Sequence, residues 1–268
     1  MKSLGETIKK IFPNLENVSY EDLKQRQIER FNESEGDLNE VDGYDCRICK
    51  NKGFIAHLSD EGEEVWRDCK CKKIRATLRR AKRSGLGDIL KDYSFDKFEA
   101  KETWQRELKE KAQAFCRDDN AKWFYIGGQV GCGKTHLCTA IAAHYIKAGK
   151  ELRYMLWAEE SKVLKANVNE SVYTEKMNEY KNVDVLYIDD FLKVKSGSVP
   201  TDADINLAFE IINHRLITPD KITILSSEKT LDELMDYDEA MMSRIYKQTG
   251  PYKFSIAKDR SKNYRLRE

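Results

Sequence analysis

Eight consecutive residues limit this chain more than any other feature. Gly128-Gln129-Val130-Gly131-Cys132-Gly133-Lys134-Thr135 satisfies every fixed position of the pattern G-x-x-x-x-G-K-[ST]. Residues 123–126 before it read as a short apolar strand, and residues 134–148 read as an amphipathic helix. A glycine-rich turn between strand and helix lets backbone N–H groups point at phosphate oxygens, and the helix N-terminus adds partial positive charge. In such a turn Lys134 reaches the β- and γ-phosphates of a nucleotide, and Thr135 offers its hydroxyl to Mg2+. Cys132 reads as a small filler, because nothing near it marks an activated thiolate, and His136 is assigned no role.

From Lys122 onward, apolar runs alternate with amphipathic stretches. Strands are expected at 123–126, 152–157, 185–188, 222–226 and 254–257, and helices at 134–148, 159–168, 203–216 and 239–247. Strands separated by helices predict a parallel sheet covered on both faces, an α/β nucleotide-binding fold. The third strand ends in Asp189-Asp190, which its burial carries to the carboxyl edge, where such folds hold ligands. Asp189 is expected to hold Mg2+, directly or through water, and Asp190 to orient and deprotonate an attacking water. One full strand separates the phosphate loop from these acids in sequence, which predicts an extra strand inserted between the two motif strands, the arrangement of ATPases that hydrolyse with a second acidic residue. The fourth strand ends in Ser226-Ser227-Glu228, whose hydroxyls can bind the water or the γ-phosphate, while Thr230 and Glu233 have capping-box spacing. Arg244 lies near the end of a helix that is apolar on its other face, and two readings stand open: a finger presented to a neighbouring subunit's γ-phosphate, or a solvated surface arginine.

A length of 268 residues suits two modules, with the nucleotide-binding domain at 121–268 and a smaller region before it. With 35% charged and 40% hydrophobic residues, and 47 Lys+Arg against 46 Asp+Glu, the composition is that of a well-solvated globular protein. No run approaches the ~18 apolar residues of a membrane helix. The opening MKSLGETIKKIF lacks the apolar stretch and cleavage site of a secretory signal, so a cytoplasmic address without a membrane partner is expected. Residues 1–45 carry eleven acids against six bases, with helical spacing at Leu4, Ile8, Ile11 and Leu15, and read as an acidic helical arm or a solvated tail.

Residues 46–83 form a knuckle and a basic helix. Cys46-x-x-Cys49 and Cys69-x-Cys71 are two close pairs suited to tetrahedral zinc, across a hairpin with strands at 53–58 and 64–68. Four protein ligands leave no place for water, so the site is expected to be structural. The second pair is tighter than the usual two-residue gap, which leaves His57 as an alternative to one sulfur. From Lys70 to Arg83 there are eight basic residues and no acid, which suits contact with nucleic-acid phosphate or simply a solvated helix. Trp66 is the nearest aromatic side chain, so no base-stacking platform is expected. Residues 84–120 read as a linker followed by a helix at 101–117.

The phosphate loop, Asp189-Asp190, Ser226-Ser227-Glu228, Ser243-Arg244-Ile245 and the closing Lys262-Asn263-Tyr264-Arg265-Leu266-Arg267 together resemble the DnaC/DnaI-type replicative helicase loaders of the AAA+ class, including their phage and mobile-element relatives. The cysteine module resembles the zinc-bearing N-terminal region of DnaI-like loaders. The resemblance implies a P-loop AAA+ three-layer fold of the second-acid class, without a full lid domain and preceded by a zinc-ribbon-like module. It implies ATP and Mg2+ bound by residues 128–135, Asp189, Ser226 and Ser227, slow or DNA-stimulated hydrolysis using Lys134 and Asp190, and Arg244 acting as a finger in self-association. It further implies a primosome role, delivering a DnaB-type hexameric helicase to single-stranded DNA in replication initiation. Adenine over guanine also rests on the resemblance, with no N-K-x-D motif in the chain. Two departures stand out: Asp190 replaces the Glu of many AAA+ proteins, and Ser/Glu replaces the Asn of the usual sensor. Arg265 is a candidate second sensor. A DnaA-like initiator fails on length, since too little follows Arg244 for a helical lid and a DNA-binding domain. Two rivals remain, an IstB-like transposition-accessory ATPase on duplex DNA and a nucleotide-binding adaptor without useful turnover.

Overall fold

The computed structural model describes residues 20–83, 86–90, 92–195 and 198–266. The expected stripe of Leu4, Ile8, Ile11 and Leu15, the side chains of Arg80, Lys82 and Arg83, and Arg267 lie outside the described residues. The chain divides into two compact units, Met1–Arg75 and Ala76–Glu268.

The first unit contains helices α1 (Tyr20–Glu33) and α2 (Leu38–Asp42), then strands β1 (Phe54–Leu58) and β2 (Glu64–Asp68). The strands pair antiparallel, Phe54 opposite Asp68 and Leu58 opposite Glu64. Their turn is closed by Ser59 N–H donating to Glu63 O at 2.8 Å. Helix α1 is tied to β1 by Asn32, which donates to Ala56 O at 2.8 Å and accepts from Ala56 N–H at 3.2 Å. Few large apolar side chains are available here; the buried centre is Cys46, Cys49, Cys69 and Cys71, with Tyr44 and Ile55 packed against them. Helix α3 (Cys71–Arg83) starts at the last of these cysteines.

The second unit contains the short α4 (Leu86–Ile89) and is built on a five-stranded parallel sheet. Its strands are β3 (Trp123–Gly128), β4 (Leu152–Leu156), β5 (Val185–Asp189), β6 (Ile222–Ser227) and β7 (Lys253–Ile256), in the order β4-β5-β6-β3-β7. Strands β3, β5 and β6 are buried along their whole length, as their unbroken apolar runs require of strands covered on both faces. The two-residue period of a strand splits those runs between two cores. Phe124, Ile126, Val185, Tyr187, Ile222 and Ile224 face one core, which also holds residues of α5 (Thr103–Arg117) and α6 (Lys134–Lys147). Trp123, Tyr125, Leu186, Ile188 and Leu225 face the other, with α7 (Trp157–Ala166), α8 (Ser171–Asn182), α9 (Asp202–Ile217), α10 (Leu231–Met235) and α11 (Glu239–Thr249). The fold is thus the expected three-layer P-loop architecture. After α11 the described residues add only β7 and two short helical turns, not a helical lid.

Three details differ from expectation. The strand standing between the two motif strands is β6, which is late in sequence; β4 lies at the sheet edge beyond β5. Trp157 opens α7 instead of ending β4, because its indole is fully buried against Phe191 at 5.4 Å and Glu159 and Glu160 favour a helix start. Helix α8 was not expected: it is polar almost all round and buries only Met177 and Tyr180. Its last carbonyls are satisfied from elsewhere, Arg215 donating to Tyr180 O, Lys181 O and Val183 O at 3.0–3.2 Å.

Candidate functional site

Strand β3 delivers the phosphate loop and α6 begins at its last glycine. Gly131 has φ 74, a left-handed conformation that glycine adopts without cost. A Cβ there would also lie 1.9 Å from Asn263 Oδ1. The C-terminal turns thus pack directly on the loop, and Tyr264 N–H donates to Gly131 O at 2.9 Å. Gln129 accepts from Asp259 N–H at 2.7 Å, while Val130 is exposed at the loop's tip. Lys134 is buried, its Nζ donating to Gly128 O at 2.9 Å and Gln129 O at 2.7 Å. Cys132 is fully buried, and that burial pushes its thiol pKa up, as suits a filler.

The acids sit across the cleft at the end of β5. Asp189 is buried, and burial raises its pKa, with the nearby Asp190 adding to the rise and hydroxyl donors opposing it. Its Oδ1 accepts from Thr135 Oγ1 at 3.4 Å and from Ser226 Oγ; its Oδ2 accepts from Tyr154 Oη at 3.2 Å. The two groups expected to share Mg2+, Thr135 and Asp189, are therefore brought together. Asp190 has φ 55, unusual for a residue with a side chain, and its N–H donates to Ser226 Oγ and Asp189 Oδ1, both at 3.2 Å. Its Oδ2 accepts from Lys193 Nζ at 2.8 Å, and the same ammonium pairs with Glu228 Oε1 at 2.8 Å. Burial acts against the Lys193 charge, but the two carboxylates outweigh it and raise its pKa.

The cleft between loop and acids has a volume of about 330 Å³. Gly131, Gly133, Lys134, Thr135, Asp190 and Arg265 line it. Ser226 and Ser227 do not: Ser226 faces Asp189, and Ser227 Oγ donates to Phe191 O at 2.9 Å, so both hydroxyls hold the acids' turn. The capping box forms as well, Thr230 and Glu233 bonding each other's backbone N–H at the start of α10. Arg244 is exposed on α11, away from this chain's own cleft, and donates to Asn213 Oδ1 at 2.9 Å.

Sequence reasoning left Glu228 unassigned and gave Lys193 and Tyr154 no part in the site: Lys193 and Glu228 line the cleft and form an ion triad with Asp190, and Tyr154 holds Asp189 from behind. An aromatic wall completes the cleft: His136 stacks on Tyr93 at 4.8 Å and meets Phe98 edge-on at 5.3 Å. His136 Nε2 lies 2.8 Å from Ser94 O, and burial lowers its pKa. Tyr264 Oη donates to Glu99 O at 2.5 Å. The spacing of residues 93–99 carried no signal for this wall, because it is assembled by packing against α6.

In the first unit the four cysteine sulfurs lie within 4.8 Å of one another, all buried. Cys46 and Cys69 sulfurs are 3.8 Å apart and Cys49 and Cys71 sulfurs 3.5 Å apart. These separations rule out disulfides, at about 2.05 Å, and match the edge of a tetrahedron about 3.8 Å long that Zn–S bonds of about 2.3 Å define. Burial opposes the Cys49 thiolate, yet the Gly53 N–H at 3.2 Å and neighbouring sulfurs bring it down to about 7. Burial pushes Cys71 up. Four buried sulfurs cannot all ionise together without a cation among them, so the donor set fits zinc. His57 sits in β1 opposite Val65, outside the cluster. Asn51 braces the knuckle, accepting from Cys46 N–H at 2.8 Å and from Arg75 Nη2 at 2.7 Å; Arg75 in turn pairs with Asp42 at 2.5 Å.

The profile of the IstB-like ATP binding protein family matches residues 45–250. Phage-like element PBSX protein XkdC of Bacillus subtilis (strain 168) is 30% identical over 219 residues, covering 78% of this chain and 81% of that protein. The crystal structure of the DnaC helicase loader superposes with a TM-score of 0.51 at 20% identity, over 63% of this chain and 98% of that one. The replication initiator DnaA bound to AMPPCP and single-stranded DNA gives a TM-score of 0.51 at 24% identity, over 62% of this chain and 50% of that one. This chain thus spans about half the length of that DnaA chain, and both structural likenesses concern the fold. Among the described residues no helix is long and apolar enough to cross a membrane.

Proposed function

Since the chain belongs to the IstB-like ATP binding protein family, which carries the P-loop AAA+ fold of the DnaC-type loaders, we propose that it is an ATP-dependent loader of a hexameric replicative helicase onto single-stranded DNA. The observation that carries this reading is the meeting of the buried Lys134 with the Thr135–Asp189 contact at 3.4 Å, across a cleft of triphosphate size.

Backbone N–H groups of residues 128–135 and the Lys134 ammonium would cradle the phosphates, Lys134 exchanging its two loop carbonyls for phosphate oxygens. Thr135 and Asp189 would hold Mg2+, which neutralises phosphate charge when bound. Ser226 and Tyr154 keep the Asp189 carboxylate turned toward Thr135. Asp190 orients a water for attack on the terminal phosphorus and accepts its proton, the products being ADP and phosphate. Its shorter reach than Glu favours slow turnover in the isolated chain. Arg244, exposed and steadied by Asn213, is suited to completing a neighbouring copy's site. The zinc-type unit and the basic start of α3 supply surfaces for helicase and DNA.

The test is threefold: ATP titration with and without Mg2+, hydrolysis with and without single-stranded DNA, and capture of the purified cognate helicase by the full chain. Loss of nucleotide binding in Lys134→Ala is expected. Failure of the full chain to bind any replicative helicase overturns the loader reading, and stimulation by duplex DNA alone favours the transposition-accessory reading that the family's name supports. Tight ATP binding without turnover under every condition marks a nucleotide-switched adaptor.

A further inference from the structure

The ion triad at the mouth of the cleft has no part in the reading above. Lys193 follows Asp190 by one turn, its N–H donating to Asp190 O at 2.9 Å, so the two side chains emerge on the same side. Its ammonium bridges the ends of two strands, held by Asp190 just beyond β5 and by Glu228 just beyond β6, each at 2.8 Å. Lys193, Asp190, Glu228, Lys134 and Thr135 all line one cleft. With roughly a third of its side chain exposed, Lys193 is not locked in place by packing.

We infer that Lys193 is a switch that reads the terminal phosphate: in the free chain it neutralises Asp190, and a triphosphate in the cleft draws its ammonium away and leaves the Asp190 carboxylate free to act. A terminal phosphate carries more charge than either carboxylate and presents several acceptor oxygens, so it competes for a lysine that faces the same cavity. A diphosphate lacks that group, so the lysine stays with Asp190 and Glu228. Glu228 is the tether that returns the ammonium when the terminal phosphate is gone. The inference rests on the nucleotide-binding reading of the cleft. It differs from an ordinary surface ion pair, which would be indifferent to which nucleotide is bound.

The experiment is calorimetric titration of the full chain with AMPPCP and with ADP, each with Mg2+, for the parent chain, Lys193→Ala, Lys193→Arg and Glu228→Gln. Losing one charge-assisted phosphate contact is expected to weaken AMPPCP about tenfold in Lys193→Ala, with ADP affinity within about twofold of the parent. The preserved ADP binding shows that the variant is folded. Lys193→Arg is expected to restore most of the AMPPCP affinity. Glu228→Gln removes a competitor for the ammonium, so it should tighten AMPPCP severalfold while leaving ADP alone. Equal effects on the two nucleotides, or none, overturn the switch while leaving the nucleotide-binding reading intact. A parent chain that binds neither nucleotide overturns both.

Discussion

Replacing Gly131 by alanine tests how the C-terminal turns hold the phosphate loop. At φ 74 a side chain costs about 1–2 kcal/mol. The new Cβ would lie 1.9 Å from Asn263 Oδ1 and 2.6 Å from Asn263 Cγ, so the asparagine has to leave. Its departure endangers two hydrogen bonds, Tyr264 N–H to Gly131 O at 2.9 Å and Arg265 N–H to Asn263 Oδ1 at 3.0 Å, worth about 1 kcal/mol each. The expected cost of Gly131→Ala is therefore about 3–4 kcal/mol. In an Asn263→Ala background the clashing atoms are already gone, and only the backbone cost of about 1–2 kcal/mol should remain. Urea unfolding followed by the fluorescence of the buried Trp123 and Trp157 measures all four corners of the cycle. If Gly131→Ala costs the same in both backgrounds, within about 0.5 kcal/mol, the packing of the C-terminal turns on the loop is refuted.

Zinc should co-purify with the full chain at one equivalent, and Cys69→Ser should lose it and expose the loop around Asn51 to protease; an intact, protease-resistant first unit without metal would contradict the tetrahedral reading. Arg215, buried with five hydrogen bonds to Tyr180 O, Lys181 O, Val183 O, Ile222 O and Thr223 Oγ1, should cost about 3–5 kcal/mol when changed to methionine, read as a lower urea midpoint. Asp189 has a raised pKa in the folded chain, so the unfolded chain gives up this proton first as pH rises. Its contribution to stability is thus complete below the ordinary carboxylate range and is lost as pH rises through the higher folded value. Asp189→Asn should remove that loss, melting higher than the parent at neutral pH in EDTA, with the gap closing toward acid pH; parallel pH profiles would sink the assignment.

The parts of the site legible in sequence are those encoded locally. The glycines of residues 128–133 announce a turn that only small residues can make, and four apolar residues before Asp189 announce a buried strand that ends at a ligand edge. Cysteine spacing announced the cluster of four sulfurs, because each pair lies on one tight turn. What stayed hidden depends on which strands are neighbours. Ile188 pairs with Leu225 in parallel register, so Asp189 falls beside Ser226, and lateral neighbours point to the same face. That register turns the Ser226 hydroxyl toward Asp189 instead of the cleft, and no local pattern reports it. Similarly, Lys193 and Glu228 meet only because β6 inserts next to β5.

Two identical side chains in succession, Asp189 and Asp190, illustrate how the fold divides labour that sequence alone leaves undivided. On an ideal strand they would point to opposite faces, one into each hydrophobic core. The left-handed backbone at Asp190 breaks the strand at that point, and Ser226 and Phe191 stabilise the bend, Phe191 N–H donating to Ser226 O at 2.7 Å. Asp189 then stays buried among three hydroxyls, where its charge is costly until a cation compensates it. Asp190 is swung out to the cleft, where it keeps contact with solvent and with Lys193. A buried carboxylate that needs a cation and a partly exposed one that faces the cleft match the two tasks phosphoryl transfer sets for acids, holding a metal and positioning the nucleophile. In the proposed function, environment and not residue type would give the metal to the first and the water to the second.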